Sequence, residues 1–342
     1  MTIVIVGGGA IGLQVAGRLA HADVPSALLG RGTTIKSLAK NSLQLRFPNE
    51  TYSVRISAVS TIEELPSTFR QPTLAILCVK SYDTPGAITT LRALKPDQIL
   101  TLQNGLGNEE QLAAVFGAER VIAGAITTSV EPTGPAEITI TKLGGIGLAP
   151  MVLTSQAKVA STNLLKAGFP VVSYHNYRSL KWSKALLNIL GNAQAAILDL
   201  PVPAIYAQPQ LLDLDLRAAR ETLAVMAAIG AQPLNLPGYP AGTIATLARF
   251  VPDLLLRPLL RRLVGGGRGG KDPSLLRDLR AGRPRSEGEQ LYGAIAAEAL
   301  RQGVPAPINA GLWRILGSIV RGEVAWDQYR GQPERLLADL TR

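Results

Sequence analysis

Cysteine is almost absent: Cys78 stands alone in 342 residues. An internal disulfide is therefore excluded, and a single thiol fits a reducing cytoplasm. Cys78 lies in the apolar run LAILCV, where the plain reading is a core residue rather than a nucleophile. Histidine is nearly as scarce, with only His21 and His175. No group of His, Cys and carboxylates has metal-ligand spacing, so no metal is expected and zinc dehydrogenase chemistry is excluded. Aromatics make up 5% and no nucleic-acid module is visible, so nucleic acid is not an expected partner. No apolar run reaches the roughly 18 residues of a membrane span. The nearest, ALLNILGNAQAAIL, is too short and carries three amides. No basic and apolar leader precedes MTIVIVGGG, so the expected location is the cytoplasm.

What is present is apolar mass and positive charge. Hydrophobic residues reach 46%, enough for real cores, and the length suits two domains. The net charge of +10 points to anionic small molecules more than to nucleic acid or a membrane surface. In the first half, TIVIVG, PSALLG, LAILCV, QILTLQ and VIAGAIT read as strands, with helical patterns such as IGLQVAGRLAHA and NEEQLAAVF among them. That alternation predicts a mostly parallel sheet with helices on both faces. SLQLRF and YSVRIS predict an added hairpin, and VVSYH (171–175) is the last strand-like run. Helical periodicity dominates afterwards. The expected boundary therefore falls near residue 175: a dinucleotide-binding α/β domain over 1–175 and an all-helical domain over 176–342. GGGRGG (265–270) reads as a loop between helices. DPSLLRDL reads as a helix start with Asp272 at the N-cap and Pro273 at N1.

GGGAIG follows the first strand and opens the first helix. In that context Gly7 permits the tight turn, Gly9 lets the backbone approach a pyrophosphate, and Gly12 allows close helix–strand packing. Gly8, Ala10 and Ile11 complete the turn, whose helix N-terminus offers N–H donors to phosphates. The second strand then ends without the acidic residue that would hold an NAD ribose. PSALLGRGTT instead places Arg31 there, which suits a 2′-phosphate, so NADPH/NADP is the expected cofactor. Two more strand ends look functional by position: LAILCV leads to Lys80, and QILTLQ leads to Asn104 with Gly105 and Gly107 behind it.

Reduction of a carbonyl needs a group that stabilises and protonates the developing alkoxide. His21 closes the first helix away from the glycine loop, and His175 reads as a surface or packing residue. Short-chain chemistry is excluded on the reading that the chain holds no Tyr-x-x-x-Lys pair of that type. Lys184 remains: a cation on an apolar helix just past the boundary, expected to face the interdomain cleft. Desolvation there lowers an ammonium pKa toward a useful range. Lys184, Asn188 and Asn192 fall at i, i+4 and i+8, one line along a single predicted helix over 179–198. A lysine that merely reaches water from a helix edge explains the two asparagines less well.

GGGAIG, the Val79–Lys80 pair, QNGLGNEEQL (103–112), W-x-K-x-x-x-N-x-x-x-N (182–192), PSLLRDLRAGRPRSE (273–287) and GVPAPIN (303–309) together resemble the ketopantoate reductase (2-dehydropantoate 2-reductase) family. The resemblance runs along nearly the whole chain. It implies NADPH-dependent reduction of a branched, anionic 2-oxo acid on the route to pantothenate and coenzyme A. It implies Lys184 as general acid, Asn188 and Asn192 on substrate hydroxyl and carboxylate groups, and Asn104 between nicotinamide and substrate. It further implies Lys80 beside the cofactor, Ser274 on the substrate, and Glu287 either orienting Lys184 or touching the cofactor ribose. From the residues alone, Ser274 is a first-turn serine and SEGE is a capping box that accounts for Glu287. Three departures surround the substrate residues: Ser274 to Glu287 is one residue longer, LDLPVPAI lacks a further Asn, and the family's Leu-Asn-Gly-Ala reads LYGA (291–294). They bear on substrate identity, so a reductase of another bulky 2-oxo acid is the alternative. A non-catalytic NADPH-binding sensor is the alternative of another class. A homodimer is the assembly kept open.

Overall fold

The structure is a computed structural model that describes residues 1–153, 157–262 and 272–341. The GGGRGG stretch lies outside the described residues. Twelve strands are described: β1 (Ile3–Val6), β2 (Ser26–Leu29), β3 (Leu43–Arg46), β4 (Thr51–Val54), β5 (Ser57–Val59), β6 (Leu74–Leu77), β7 (Gln98–Thr101), β8 (Val121–Ile126), β9 (Ser129–Gly134), β10 (Glu137–Lys142), β11 (Ile146–Pro150) and β12 (Val171–Ser173). Helices α1 (Ala10–His21), α2 (Gly32–Leu38), α3 (Thr84–Leu94), α4 (Asn108–Phe116) and α5 (Ala157–Lys166) are interspersed with them.

Eight strands form one sheet in the order β12-β11-β8-β7-β6-β1-β2-β5. Every neighbour pair in it is parallel except β8 with β11. The central strands β1, β6, β7 and β8 are buried along their whole length, as a sheet covered on both faces requires. Alternation then sorts the residues. Ile3, Ile5, Leu28 and Ile76 join a core with α1 and α5, while Val4, Val6, Ala27, Leu29, Ala75 and Leu77 join a core with α3 and α4. The chain leaves β1 on one side toward β2 and later returns to its other side with β6. That reversal makes the switch point where ligands bind open α/β sheets.

The expected hairpin is present as β3 and β4, but it belongs to a second sheet of order β4-β3-β10-β9. There Ile138 and Ile140 turn inward with Leu43 and Leu45 and cover α1. Strands β5 and β9–β11 were not expected. β5 spans only three residues, and IGLAP in β11 carries Gly and Pro.

From residue 177 the described chain is helical apart from turns: α6 (Tyr177–Ile189), α7 (Asn192–Leu198), α8 (Val202–Ala207), α9 (Pro209–Ala228), α10 (Ala241–Phe250), α11 (Asp253–Leu260), α12 (Ser274–Arg280), a π-turn over Glu289–Gly293, α13 (Ala294–Gln302), α14 (Pro307–Val320) and α15 (Pro333–Thr341). One apolar cluster runs through them, including Leu186, Ile189, Leu214, Ile295, Leu312 and Leu336.

By contact the chain divides into two units. The first holds residues 1–103, 107–181 and 236–239; the second holds 104–106, 182–235 and 240–342. The main division follows Lys181, six residues past the boundary read from sequence. Among the described residues no helix is long and apolar enough to cross a membrane.

Candidate active site

In the first unit two glycines of the first turn, Gly7 and Gly12, leave no room for a side chain. Gly7 has φ +117°, and a Cβ on it would meet the Cys78 and Val79 backbone at 2.9 Å. A Cβ on Gly12 would lie 1.8 Å from the Gly7 carbonyl oxygen, so α1 can pack this close to β1 only with glycine there. A Cβ on Gly9 would meet nothing within 4 Å. Gly9 is the N-cap of α1 and no side chain caps that end. The open space over Gly9 and the uncapped N–H groups of Ala10 and Ile11 fit a pyrophosphate. A Cβ on Gly8 would meet Ile35 Cδ1 of α2 in ordinary contact at 3.5 Å.

Arg31 is the exposed N-cap of α2, directly after β2. Lys80 follows β6 and is half-buried; its carbonyl accepts from Asp83 N (2.8 Å) and Gln103 Nε2 (3.3 Å). The thiol of Cys78 is pushed up by burial, which leaves it unreactive as a nucleophile. His21 stacks on Tyr52 with ring centroids 4.1 Å apart, and His175 is exposed. Neither histidine belongs to the glycine turn.

Sequence reasoning missed a buried polar network behind β7. Gln103 Oε1 accepts from Thr101 Oγ1 (3.0 Å) and its Nε2 donates to Thr84 Oγ1 (2.9 Å). Asn108 Nδ2 donates to Ser81 Oγ (3.2 Å). Lys181 completes the network: its Nζ lies 2.7 Å from Gln103 O and 3.0 Å from Glu109 Oε1. Burial raises the pKa of the Glu109 carboxyl, and the Lys181 charge opposes that rise.

Tyr177 and Lys181 do stand at Tyr-x-x-x-Lys spacing, a pair the sequence elimination overlooked. The structure separates their roles. Tyr177 OH donates to Glu110 Oε1 (3.1 Å), while Lys181 faces Glu109. Burial, then the Glu110 charge, pushes the Tyr177 phenol up to about 12, opposite to what a catalytic tyrosine needs.

In the second unit the predicted helix over 179–198 is broken. α6 ends at Ile189, Gly191 takes a left-handed φ of +64°, and α7 starts at Asn192. Asp215, buried, accepts from Gly191 N, from Gln194 Nε2 (2.6 Å) and from Tyr206 OH (2.8 Å). Tyr292 OH donates to Ile189 O (2.5 Å) and accepts from Ala193 N (2.9 Å), so it satisfies backbone groups on both sides of the break. This is the tyrosine of LYGA, and the π-turn Glu289–Gly293 delivers it.

The polar line survives the break. Asn188 Nδ2 donates to Asn104 Oδ1 (3.4 Å), and Asn192 Nδ2 donates to Asn188 O (2.9 Å). Asn192 Oδ1 accepts from Leu275 N (3.3 Å) in the first turn of α12, next to Ser274. The Asn192 amide thus has two protein partners, Asn188 O and Leu275 N. Lys184 is half-buried one turn before Asn188 on α6. Asn104 precedes Gly105, whose φ of +85° and contact with Gln290 demand glycine, and Leu106 N donates to Gln290 O (2.8 Å).

Two further local readings change. The N-cap of α12 is Pro273, and Asp272 pairs with Arg280 (2.6 Å) instead of capping. SEGE forms no capping box: Ser286 Oγ accepts from Gly288 N (3.1 Å), two residues on, and Glu287 is buried at 3% exposure.

A glycine turn at the switch point of a parallel sheet, ahead of a helical unit, defines a dinucleotide-dependent oxidoreductase. Residues 3–152 match the family described as Ketopantoate reductase PanE/ApbA, and residues 176–320 match its C-terminal counterpart. The chain belongs to the ketopantoate reductase family. Among curated relatives, the 2-dehydropantoate 2-reductase of Halobacterium salinarum is 28% identical over 94% of this chain and 98% of its own. That of Pyrococcus horikoshii is 28% identical over 92% and 96%. The crystal structure of 2-dehydropantoate 2-reductase from Geobacter metallireducens superposes with TM-score 0.78 at 26% identity, covering 93% and 99% of the two chains. A D-mandelate dehydrogenase with NADH and anilino(oxo)acetate shares the fold at TM-score 0.79 and 18% identity, over 94% and 99%.

Proposed function

We propose that this chain reduces 2-dehydropantoate (ketopantoate) to pantoate with NADPH, with Lys184 as general acid. The observation that carries the reading is the hydrogen-bonded line Asn104–Asn188–Asn192–Leu275 N, with Lys184 one turn before Asn188. Gly7, Gly8, Gly9, Ala10, Ile11 and Gly12 hold the pyrophosphate, Arg31 the 2′-phosphate, and Lys80 stands by the cofactor. NADPH, when bound, supplies the hydride to C2 of the 2-oxo acid. Lys184 donates a hydrogen bond and then its proton to the C2 oxygen, and regains a proton from water. A cation there acts most strongly as the alkoxide forms, which is what lowers the barrier. Asn188, Asn192 and Ser274 orient the substrate, and Asn104 borders it. Glu287, buried near the π-turn, orients Lys184 or meets the ribose.

A second reading, reduction of another bulky 2-oxo acid, rests on Tyr292, which fills the place of the asparagine in the family's Leu-Asn-Gly-Ala. Loss of NADPH absorbance across a panel of 2-oxo acids decides between the two. Lys184→Ala is expected to lower kcat by about 10²–10⁴ with NADPH affinity little changed. A folded Lys184→Ala enzyme with near-normal kcat removes the general-acid role.

A further inference from the structure

Lys181 and Glu109 are buried to 4% and 1% side-chain exposure, a charge pair that the reduction chemistry above does not use. The ammonium donates to Gln103 O at 2.7 Å and to Gly124 O at 3.4 Å, and its charge is paired by Glu109 Oε1 at 3.0 Å. These come from the end of β7, from α4 and from β8. Stability is a poor account of such a pair, because apolar groups of like volume usually do as well or better. Geometry is a better one. The side chain of Gln103 is already held at both ends by Thr101 and Thr84, and Lys181 fixes its carbonyl as well. The next residue is Asn104, which meets Asn188 at 3.4 Å. Lys181 itself lies one turn before Lys184 on α6. One buried ammonium thus fixes both segments that carry the proposed chemistry.

We propose that Lys181, with Glu109 as counterion, is a positioning pair for the reduction: it holds the main chain at Gln103 so that Asn104 meets α6 in register with Asn188 and Lys184. The inference rests on the roles given above to Asn104 and Lys184.

The test replaces both charges at once, Lys181→Met with Glu109→Gln, in the full-length enzyme assayed with NADPH and ketopantoate. No unpaired charge is left behind, so the urea midpoint is expected to stay near that of the wild type. NADPH Kd should stay within about threefold, while kcat falls by about tenfold or more from a misplaced Asn104. A stable double variant with kcat within about twofold of wild type overturns the proposal. Glu109→Gln alone gives a reading that does not depend on the double variant folding, since it keeps shape and both carbonyl contacts of Lys181. There kcat should fall several-fold at unchanged NADPH Kd; an unchanged kcat again overturns the pair's role. Lys184→Ala in the same assay separates the two ideas. If it is near-normal, the general-acid reading fails; if it is crippled while the double variant is normal, only the positioning role fails.

Discussion

Arg31 shows how far one side chain can be argued. It caps α2 after β2, it is exposed, and PSALLGRGTT offers no carboxylate to a ribose hydroxyl. NADPH should therefore bind more tightly than NADH, and Arg31→Asp should erase most of the preference. A charge-assisted contact of this kind is worth roughly 1–3 kcal/mol, or about five- to 150-fold in Kd. Fluorescence titration of both cofactors against both proteins checks it, and equal wild-type affinities refute it. Lys181 teaches the opposite lesson about single residues. In SLKWSK it reads as one more helix-surface lysine, because its partner Glu109 lies in a distant helix and nothing local announces the pairing. Lys184, three residues on, was legible because its two asparagines recur at helical spacing.

At the scale of the element, the break between α6 and α7 controls the polar line. Gly191 takes a left-handed turn, and a Cβ there would lie 2.9 Å from Val202 Cγ1. Gly191→Ala should cost about 1–3 kcal/mol in stability. It should also raise KM for the 2-oxo acid more than Kd for NADPH, because Asn188 and Asn192 lie on either side of the turn. Urea denaturation and steady-state kinetics measure both, and an unchanged KM would separate the turn from substrate binding. The parallel strands β1, β2, β6, β7 and β8 could be read from sequence because strands buried on both faces are continuous apolar runs. The break could not: i, i+4, i+8 spacing passes through Gly191 unaltered, and a lone glycine is tolerated in helices. What stops the helix is tertiary, namely the carboxylate of Asp215 and the hydroxyl of Tyr292. The second sheet was only half legible for a related reason: its β3–β4 hairpin is local, but β10 joins it by pairing with β3, distant in the chain.

For the whole molecule, a net charge of +10 should draw in anionic substrates. The Debye length shrinks from ~30 Å at 0.01 M salt to ~8 Å at 0.15 M. Over that range kcat/KM for a 2-oxo acid should fall several-fold while kcat holds, and a salt-independent kcat/KM would show that the surplus charge does no steering. The division of the chain carries a different consequence. Residues 104–106 fold with the helical unit, and residues 236–239 fold with the sheet unit. A gene cut at codon 175 would strand Asn104 from Asn188 and Glu109 from Lys181. Exchanging either half at that point with the half of another nucleotide-binding protein would break both pairings at once.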